Sequence, residues 1–190
     1  EQNFDGFWGD SPGELGVLVN LSSTSKTANL GAGNVTVASG KAQDTFGNTD
    51  TLSGIQQFRL TDANDFFYGG DLATRIRARA GNDTIITGAG NDRIEGGDGN
   101  DIINAGDGQD DIDGGMGNDT IDAGDGIFDF INGSAGTDTV NGNAGFDDYD
   151  FAYGPGGAGF SLTINLNYNA TAPGGGTVVG TVDGNAVNAS

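Results

Sequence analysis

Residues 96–122 consist of three consecutive nonapeptides, GGDGNDIIN, AGDGQDDID and GGMGNDTID. Each one begins with a glycine-rich turn, has aspartate at its sixth position and has isoleucine at its eighth. An α-helix would need apolar residues three and four positions apart, and a nine-residue spacing does not sustain that pattern. A fixed short period is instead typical of repeat proteins, in which one structural unit stacks on the next.

The same period extends from this stretch in both directions. A large apolar residue recurs at Phe58, Phe67, Ile76, Ile85, Ile94, Ile103, Ile112, Ile121, Ile131, Val140 and Tyr149. Because alternate side chains of a strand point to opposite faces, each short strand turns one such anchor inward. Two facing nonapeptides would make one coil, and stacked coils would form two parallel sheets around a thin core.

An acidic residue stands two positions before most of these anchors. These acidic residues are all aspartates: Asp65, Asp83, Asp92, Asp101, Asp110, Asp119, Asp129, Asp138 and Asp147. In the predicted coil, alternate members stack about 4.8 Å apart along two edges, so that Asp65 lies next to Asp83. Bare carboxylates would repel there, whereas calcium accepts about six to eight oxygens in flexible geometry and suits the site better than magnesium. We therefore predict several Ca²⁺ ions bound by these aspartates.

Residues 96–104 and 114–122 resemble the RTX nonapeptide, GGxGxD followed by a strand. The resemblance implies an all-β, right-handed parallel β-roll or β-helix solenoid with irregular β caps at both ends. It also implies a bacterial protein that leaves the cell by type I secretion and folds on calcium outside, at an extracellular or cell-surface location. Thr74 stands where the RTX motif has aspartate, and Leu72 where it has glycine.

Three segments are predicted along the chain. Residues 1–53 form an N-terminal β cap, with strands expected near 17–21, 35–37 and 50–55. Residues 54–150 form the calcium-binding β-roll, degenerate over 54–77 and regular over 78–150. Residues 151–190 form a C-terminal β segment, interpreted as the opening of a further module because 151–157 and 161–166 resemble 7–13 and 16–21. The aromatic residues nearby are expected to cap the core: Phe146, Tyr149, Phe151, Tyr153 and Phe160.

Composition excludes several classes of function. The chain has 27 acidic and 7 basic residues, a net charge of -20, which would repel the phosphates of a nucleic acid. It has no cysteine and no histidine, so disulfides, serine triads and the common zinc sites are ruled out. No apolar run approaches the roughly 18 residues needed for membrane insertion.

The predicted fold and the repeat are compatible with three classes of function. We favour a structural or assembly module of a surface protein, such as an S-layer, filament or adhesin, whose partners are calcium, copies of itself or other surface proteins. The alternative is the calcium-folding export module of a secreted enzyme or toxin. An ice-binding solenoid is disfavoured because the third repeat positions are irregular. The chain has neither HExxH nor GxSxG, and we expect no enzymatic activity.

Charges on the outer faces of the strands also follow the period. Arg77 and Glu95 occupy equivalent positions, and so do Arg93 and Asp111. We predict cross-strand ion pairs between them, and we keep head-to-tail attraction between modules as the alternative.

Overall fold

A computed structural model describes residues 3–5, 15–150, 163–165, 179–182 and 185–188. Within them every regular element is a β-strand. The strands are β1 (Asn3–Asp5), β2 (Leu18–Asn20), β3 (Lys26–Asn29), β4 (Asn34–Val37), β5 (Lys41–Gln43), β6 (Thr49–Thr51), β7 (Gln57–Arg59), β8 (Phe66–Tyr68), β9 (Arg75–Ala80), β10 (Thr84–Ala89), β11 (Arg93–Asp98), β12 (Ile102–Asp107), β13 (Asp111–Met116), β14 (Thr120–Asp122), β15 (Phe130–Asn132), β16 (Thr139–Asn141), β17 (Asp148–Asp150), β18 (Thr163–Asn165), β19 (Val179–Val182) and β20 (Asn185–Asn188). A helix long and apolar enough to span a bilayer does not occur among the described residues.

Two sheets of parallel strands form a solenoid of about five turns. The first sheet has the order β1-β7-β9-β11-β13-β15-β17, and the second has β18-β16-β14-β12-β10-β8-β2-β5-β6. Neighbouring strands in a sheet come from successive coils, with Ile103 beside Ile85 and Ile112 beside Ile94. The all-β parallel solenoid predicted from the nonapeptides is therefore confirmed.

The core is built on the predicted anchors, one from each nonapeptide, with further residues such as Val19, Leu60 and Ala105 packed among them. The ten from Phe58 to Val140 are at most 3% exposed, and Tyr149 is partly buried against them. Burying an aliphatic or aromatic side chain contributes about 1.5–3 kcal/mol. Because each coil of the regular array supplies only two such anchors, the core is one side chain deep on each side.

The N-terminal segment covers the first coils of the solenoid. Strand β2 continues the second sheet in parallel to β8, with Val19 beside Phe67, and β5 and β6 then add in antiparallel fashion. The hairpin of β3 and β4 packs Leu30 and Val37 onto Leu18, on the outer face of that sheet. Strands β2 and β4 lie where the sequence predicts strands, and β6 overlaps only the start of the strand predicted at 50–55. Strands β3 and β5, the antiparallel edge and the second small core were not predicted from the sequence.

At the C-terminal end, β18 pairs in parallel with β16, while β19 and β20 pair with each other. Phe146 is 82% exposed, so the prediction that it caps the core is wrong. Phe151, Tyr153 and Phe160 lie outside the described residues, as does most of the predicted C-terminal segment.

The predicted cross-strand ion pairs are present on the outer face of the first sheet. Arg77 Nε lies 2.8 Å from Glu95 Oε2, and Arg93 Nη1 lies 2.6 Å from Asp111 Oδ2. All four side chains are about one-third to one-half exposed, and such surface pairs contribute roughly 0–1 kcal/mol. They support the register of the strands more than they stabilise the fold.

Candidate metal centre

Two rows of aspartates follow the two edges of the solenoid, one residue before each strand begins. Row one contains Asp65, Asp83, Asp101, Asp119 and Asp138. Row two begins with Thr74 and continues through Asp92, Asp110, Asp129 and Asp147. Apart from Asp147, which is half-buried, each of these residues is at most 5% exposed. The structure therefore brings the predicted ligands together in the two predicted rows.

One oxygen of each carboxylate is held by the coil before it. The backbone N–H of Asp83 donates to Asp101 Oδ1 at 2.8 Å, and that of Asp101 donates to Asp119 Oδ1 at 2.8 Å. Row two repeats the arrangement, with Asp92 N–H donating to Asp110 Oδ1 at 2.8 Å. These bonds fix the orientation of every carboxylate, so the second oxygen points in the same direction in each coil.

In most members of the two rows, the second carboxylate oxygen is buried and has no hydrogen-bond partner. The atoms concerned are Oδ2 of Asp83, Asp92, Asp101, Asp110, Asp119 and Asp129. A buried carboxylate oxygen without a donor is costly, and a repeated set of them indicates a missing positive partner. Since no lysine or arginine follows Arg93 in the sequence, a metal cation is the partner that this part of the chain needs.

The glycine turns bring a further kind of oxygen to the same space. A Cβ atom at position 96 would lie 2.6 Å from Asp101 Oδ2 and would also overlap the Gly114 carbonyl oxygen of the next coil. A carboxylate and a carbonyl oxygen therefore converge on the space that Gly96 leaves open. Calcium binds such oxygens in flexible numbers. Among the described residues no three acidic side chains converge on one point, so backbone carbonyls would have to complete the coordination.

Without a metal ion, the pKa values of the row aspartates are raised above the ordinary value of an aspartate. Burial, together with the charges of neighbouring carboxylates, raises the pKa of Asp83 to about 8 and that of Asp110 to about 7. Burial likewise raises the pKa of Asp119 and of Asp147 to about 6. Burial also raises the pKa of Asp65 to about 6, and it raises the pKa values of the remaining members: Asp92, Asp101, Asp129 and Asp138. Ionised carboxylates are unfavourable at these positions unless a cation accompanies them.

Asp65 differs from the other predicted ligands. Its Oδ1 accepts hydrogen bonds from Val17 N–H at 2.6 Å and from the Thr61 hydroxyl at 2.9 Å. Its Oδ2 accepts one from Thr61 N–H at 2.7 Å. Asp65 thus lies in row one as predicted, but both of its carboxylate oxygens already have donors from the protein.

The ten-residue interval between Ile121 and Ile131 does not remove Asp129 from row two. The N–H of Asp110 donates to Asp129 Oδ1 at 2.9 Å, and that of Asp129 donates to Asp147 Oδ1 at 3.3 Å. Ile127, beside the extra residue, is 76% exposed. The insertion is therefore accommodated by the turn, outside the core.

A second ladder of side chains was missed by reasoning from the sequence. The backbone N–H of Asn100 donates to Asn82 Oδ1, and that of Asn118 donates to Asn100 Oδ1, both at 2.7 Å. These exposed amides join successive turns just before row one. The recurrence of asparagine immediately before the row aspartates at 64, 82, 91, 100 and 118 was the signal that could have revealed them.

Comparison with protein families agrees with this geometry. The family described as RTX calcium-binding nonapeptide repeat (4 copies) matches residues 68–103, 95–127 and 128–149. No curated protein sequence matches the chain. The matched residues include the buried anchors from Ile76 to Val140 and every row aspartate from Asp83 onward. Residues 68–149 therefore carry RTX calcium-binding nonapeptide repeats, and these repeats build the middle coils of the solenoid.

Proposed function

We propose that this chain is a secreted structural module of an extracellular surface protein, which folds on calcium and associates end to end. In this proposal the eight aspartates from Asp83 to Asp147 in the two rows hold the calcium ions. The chain itself has no enzymatic role and no nucleic-acid partner. The observation that carries the proposal is the similarity between the first and last coils of the solenoid.

At an offset of 145 positions, residues 148–150 and 163–166 align with residues 3–5 and 18–21, while 151–157 resembles 7–13 at an offset of 144. The alignment matches β17 with β1 and β18 with β2. It also matches their pairing, because β1 and β17 both lie in the first sheet while β2 and β18 both lie in the second. Corresponding strands therefore lie at both ends of the described solenoid.

The first and last coils have their neighbours in the solenoid on opposite sides. The first coil has its solenoid neighbours β7 and β8 on its C-terminal side, and the last has β15 and β16 on its N-terminal side. A coil of this sequence is thus compatible with a parallel neighbour on either side. Outermost strands of a sheet are ready templates for pairing with another chain. In this proposal a second copy pairs its own β1 with β17, which extends the first sheet from one molecule to the next, while in the second sheet β2 is already covered by β5.

Secretion before folding suits a chain of this kind. Where calcium is scarce, the ionised rows would oppose the compact fold, and ions that bind only the folded state stabilise it by mass action. An export route that requires an unfolded chain is compatible with this behaviour. Absence of cysteine also removes any need for disulfide formation during folding.

Light-scattering mass during a calcium titration, started in chelator, tests the proposal. We expect the mass to rise well above that of one chain as calcium is added, with no such rise in magnesium. A compact calcium-bound monomer at all accessible concentrations would contradict end-to-end association and would favour the export module of a larger secreted protein.

Cysteine trapping locates the contact, since the chain has no cysteine of its own. Asn3→Cys combined with Asp148→Cys should give disulfide-linked multimers in calcium, because paired strands lie about 4.8 Å apart and a disulfide needs Cα atoms within roughly 7 Å. Asn3→Cys combined with Phe130→Cys is the matched control, since β15 is covered on both edges. Equal cross-linking in the two variants would mean that the contact is not at the ends.

A further inference from the structure

Charge divides the described solenoid into two unlike parts. The N-terminal unit, residues 15–80, has six basic and five acidic side chains. The calcium array, residues 81–150, has seventeen acidic side chains and a single basic one, Arg93. Self-repulsion of like charges therefore opposes folding in the array and is nearly absent from the N-terminal unit.

Hydrophobic burial follows the same division. The N-terminal unit buries Phe58, Leu60 and Phe67 in the main core, where the rings of Phe58 and Phe67 meet edge to face at 4.9 Å. It also has the second cluster on Leu18, which the β3–β4 hairpin covers. Each coil of the array buries two isoleucine or valine anchors together with small residues such as Ala105. Most of the apolar driving force thus lies before residue 81.

Threonines supply donors at the start of both rows, where a cation would otherwise be needed. In row one, Thr61 and Val17 satisfy both oxygens of Asp65. In row two, Thr74 donates its N–H at 2.6 Å and its hydroxyl at 2.9 Å to Asp92 Oδ1. An unpartnered buried carboxylate oxygen first occurs at Asp83 in row one and at Asp92 in row two.

An ion pair closes the turn of the N-terminal unit as well. Arg79 Nε lies 2.9 Å from Asp62 Oδ1 and Arg79 Nη2 lies 3.2 Å from Asp62 Oδ2, a two-point contact between successive coils. In the array the corresponding position is glycine up to Gly124, as at Gly97 and Gly115, and then Ser134 and Asn143, so none of these turns has a basic side chain there. In the first turns an arginine of the protein therefore neutralises a carboxylate, whereas the array has no basic side chains in its turns to do so.

We propose that the N-terminal unit folds without calcium, and that the rows of calcium ligands begin at Asp83 and Asp92. Asp65 is then a hydrogen-bond acceptor of the N-terminal unit and not a calcium ligand. The folded unit presents the edges of β9 and β8, onto which the calcium array assembles coil by coil from its N-terminal end. This inference rests on the calcium ligands proposed above and is independent of end-to-end association.

Hydrogen exchange on the full chain, followed by mass spectrometry at mildly alkaline pH, tests the order of folding. In chelator we expect protected amides in β7, β8 and β9, and exchange close to that of an unfolded chain in β13 to β16. Calcium should protect both parts. Equal exchange of the two parts in chelator, or stronger protection of β13 to β16, would overturn the proposal.

Two isosteric variants separate a protein acceptor from a calcium ligand. Asp65→Asn should leave the number of bound calcium ions unchanged in equilibrium dialysis, and should lower the chelator-state protection of β7 and β8 by about tenfold or more. Asp101→Asn should do the opposite, reducing calcium binding while leaving that protection intact. A loss of calcium by Asp65→Asn equal to that of Asp101→Asn would identify Asp65 as a ligand and refute the assignment.

Thr61→Val provides the same test should Asp65→Asn fail to fold. It removes one donor to Asp65 and keeps every carboxylate, so it should lower chelator-state protection without changing calcium stoichiometry. Unchanged protection would show that this donor does not stabilise the unit. If the cross-linking experiment on the chain ends fails, these exchange results still stand. If no calcium binds at all, the ligand assignment common to both proposals is wrong.

Discussion

At the scale of the residue, the second position of the nonapeptide requires an unusual backbone conformation. The backbone there adopts positive φ in every described repeat from Arg79 onward, with φ of 113° at Gly97 and 87° at Arg79 itself. A Cβ at position 97 would overlap the Arg79 carbonyl oxygen of the coil before it. Glycine at position 97 thus meets two demands at once, an unusual backbone angle and a close approach of main chains.

Gly97→Ala should therefore be far more damaging than an alanine at a glycine with positive φ in open space. Gly54 is the matched control, because its φ is 69° and no atom lies within 4 Å of its added Cβ. Gly54→Ala should cost about 1–2 kcal/mol from backbone strain alone, and Gly97→Ala should cost more because the coils must move apart. Thermal unfolding in saturating calcium measures both, and equal losses would show that the close approach is unimportant.

Adjacent isoleucines give a second test at the same scale. Ile103 is 1% exposed and Ile102 is 53% exposed, although both belong to β12. Ile103→Ala should lower the free energy of unfolding by about 2–5 kcal/mol, whereas Ile102→Ala should change it by no more than about 0.5 kcal/mol. Denaturant unfolding in calcium compares the two. A large loss from Ile102→Ala would mean that the outer face of the sheet is covered by something in solution.

At the scale of the element, each row behaves as one titrating unit. The carboxylates are buried side by side, so ionising one member makes the next harder to ionise. In row one the pKa of Asp83 is raised to about 8 by burial and by the charges of Asp65 and Asp101. Calcium and protons therefore compete for the same buried oxygens.

The sign of the pH dependence follows from these raised pKa values. An aspartate whose pKa is higher in the folded state than in the unfolded state binds protons on folding, so it favours folding at low pH. In chelator, stability should decrease as the pH rises from near 4 through about 6 to 8, the range of the values for Asp119 and Asp83. Circular dichroism of the chelated chain across this range is the measurement. A chelated array that gains structure as the pH rises would contradict the assignment of buried, protonated rows.

With calcium present the dependence should reverse. Apparent calcium affinity should fall as the pH decreases, since protons occupy the carboxylates that the ion needs. Calorimetric titrations at two pH values within the same range, with release of protons on binding, check this expectation. An affinity that does not change with pH would mean that the ions bind elsewhere.

At the scale of the whole molecule, stability is coupled to the concentration of free calcium. Each site that binds only the folded state adds about 1.4 kcal/mol for every tenfold rise in calcium above its dissociation constant. The unfolding temperature should therefore continue to rise after binding is saturated, and the slope gives the number of ions lost on unfolding. Magnesium, which demands a stricter octahedron, should give a much smaller rise. An unfolding temperature that stops rising at saturation would mean that calcium leaves without coupling to unfolding.

By itself, the sequence determined the parallel solenoid, its anchors and its two rows of aspartates. These features follow from a short local period, so Ile94 or Asp101 occupies the same environment as its counterpart one coil away. Only the tertiary structure decided that Phe146 is exposed and that β5 and β6 close one sheet in antiparallel fashion.

Asp65 is the residue whose role depends most on the tertiary structure. It stands in the period like any other row member, yet Val17, 48 positions earlier, donates to one of its oxygens. The nearer donor, Thr61, is four positions away, at a repeat position where the regular coils have glycine, as at Gly97. A linear pattern specifies which residue recurs, but hydrogen-bond donors arrive through space from segments that do not repeat. Whether a carboxylate is left for a cation is therefore settled only once the chain has folded.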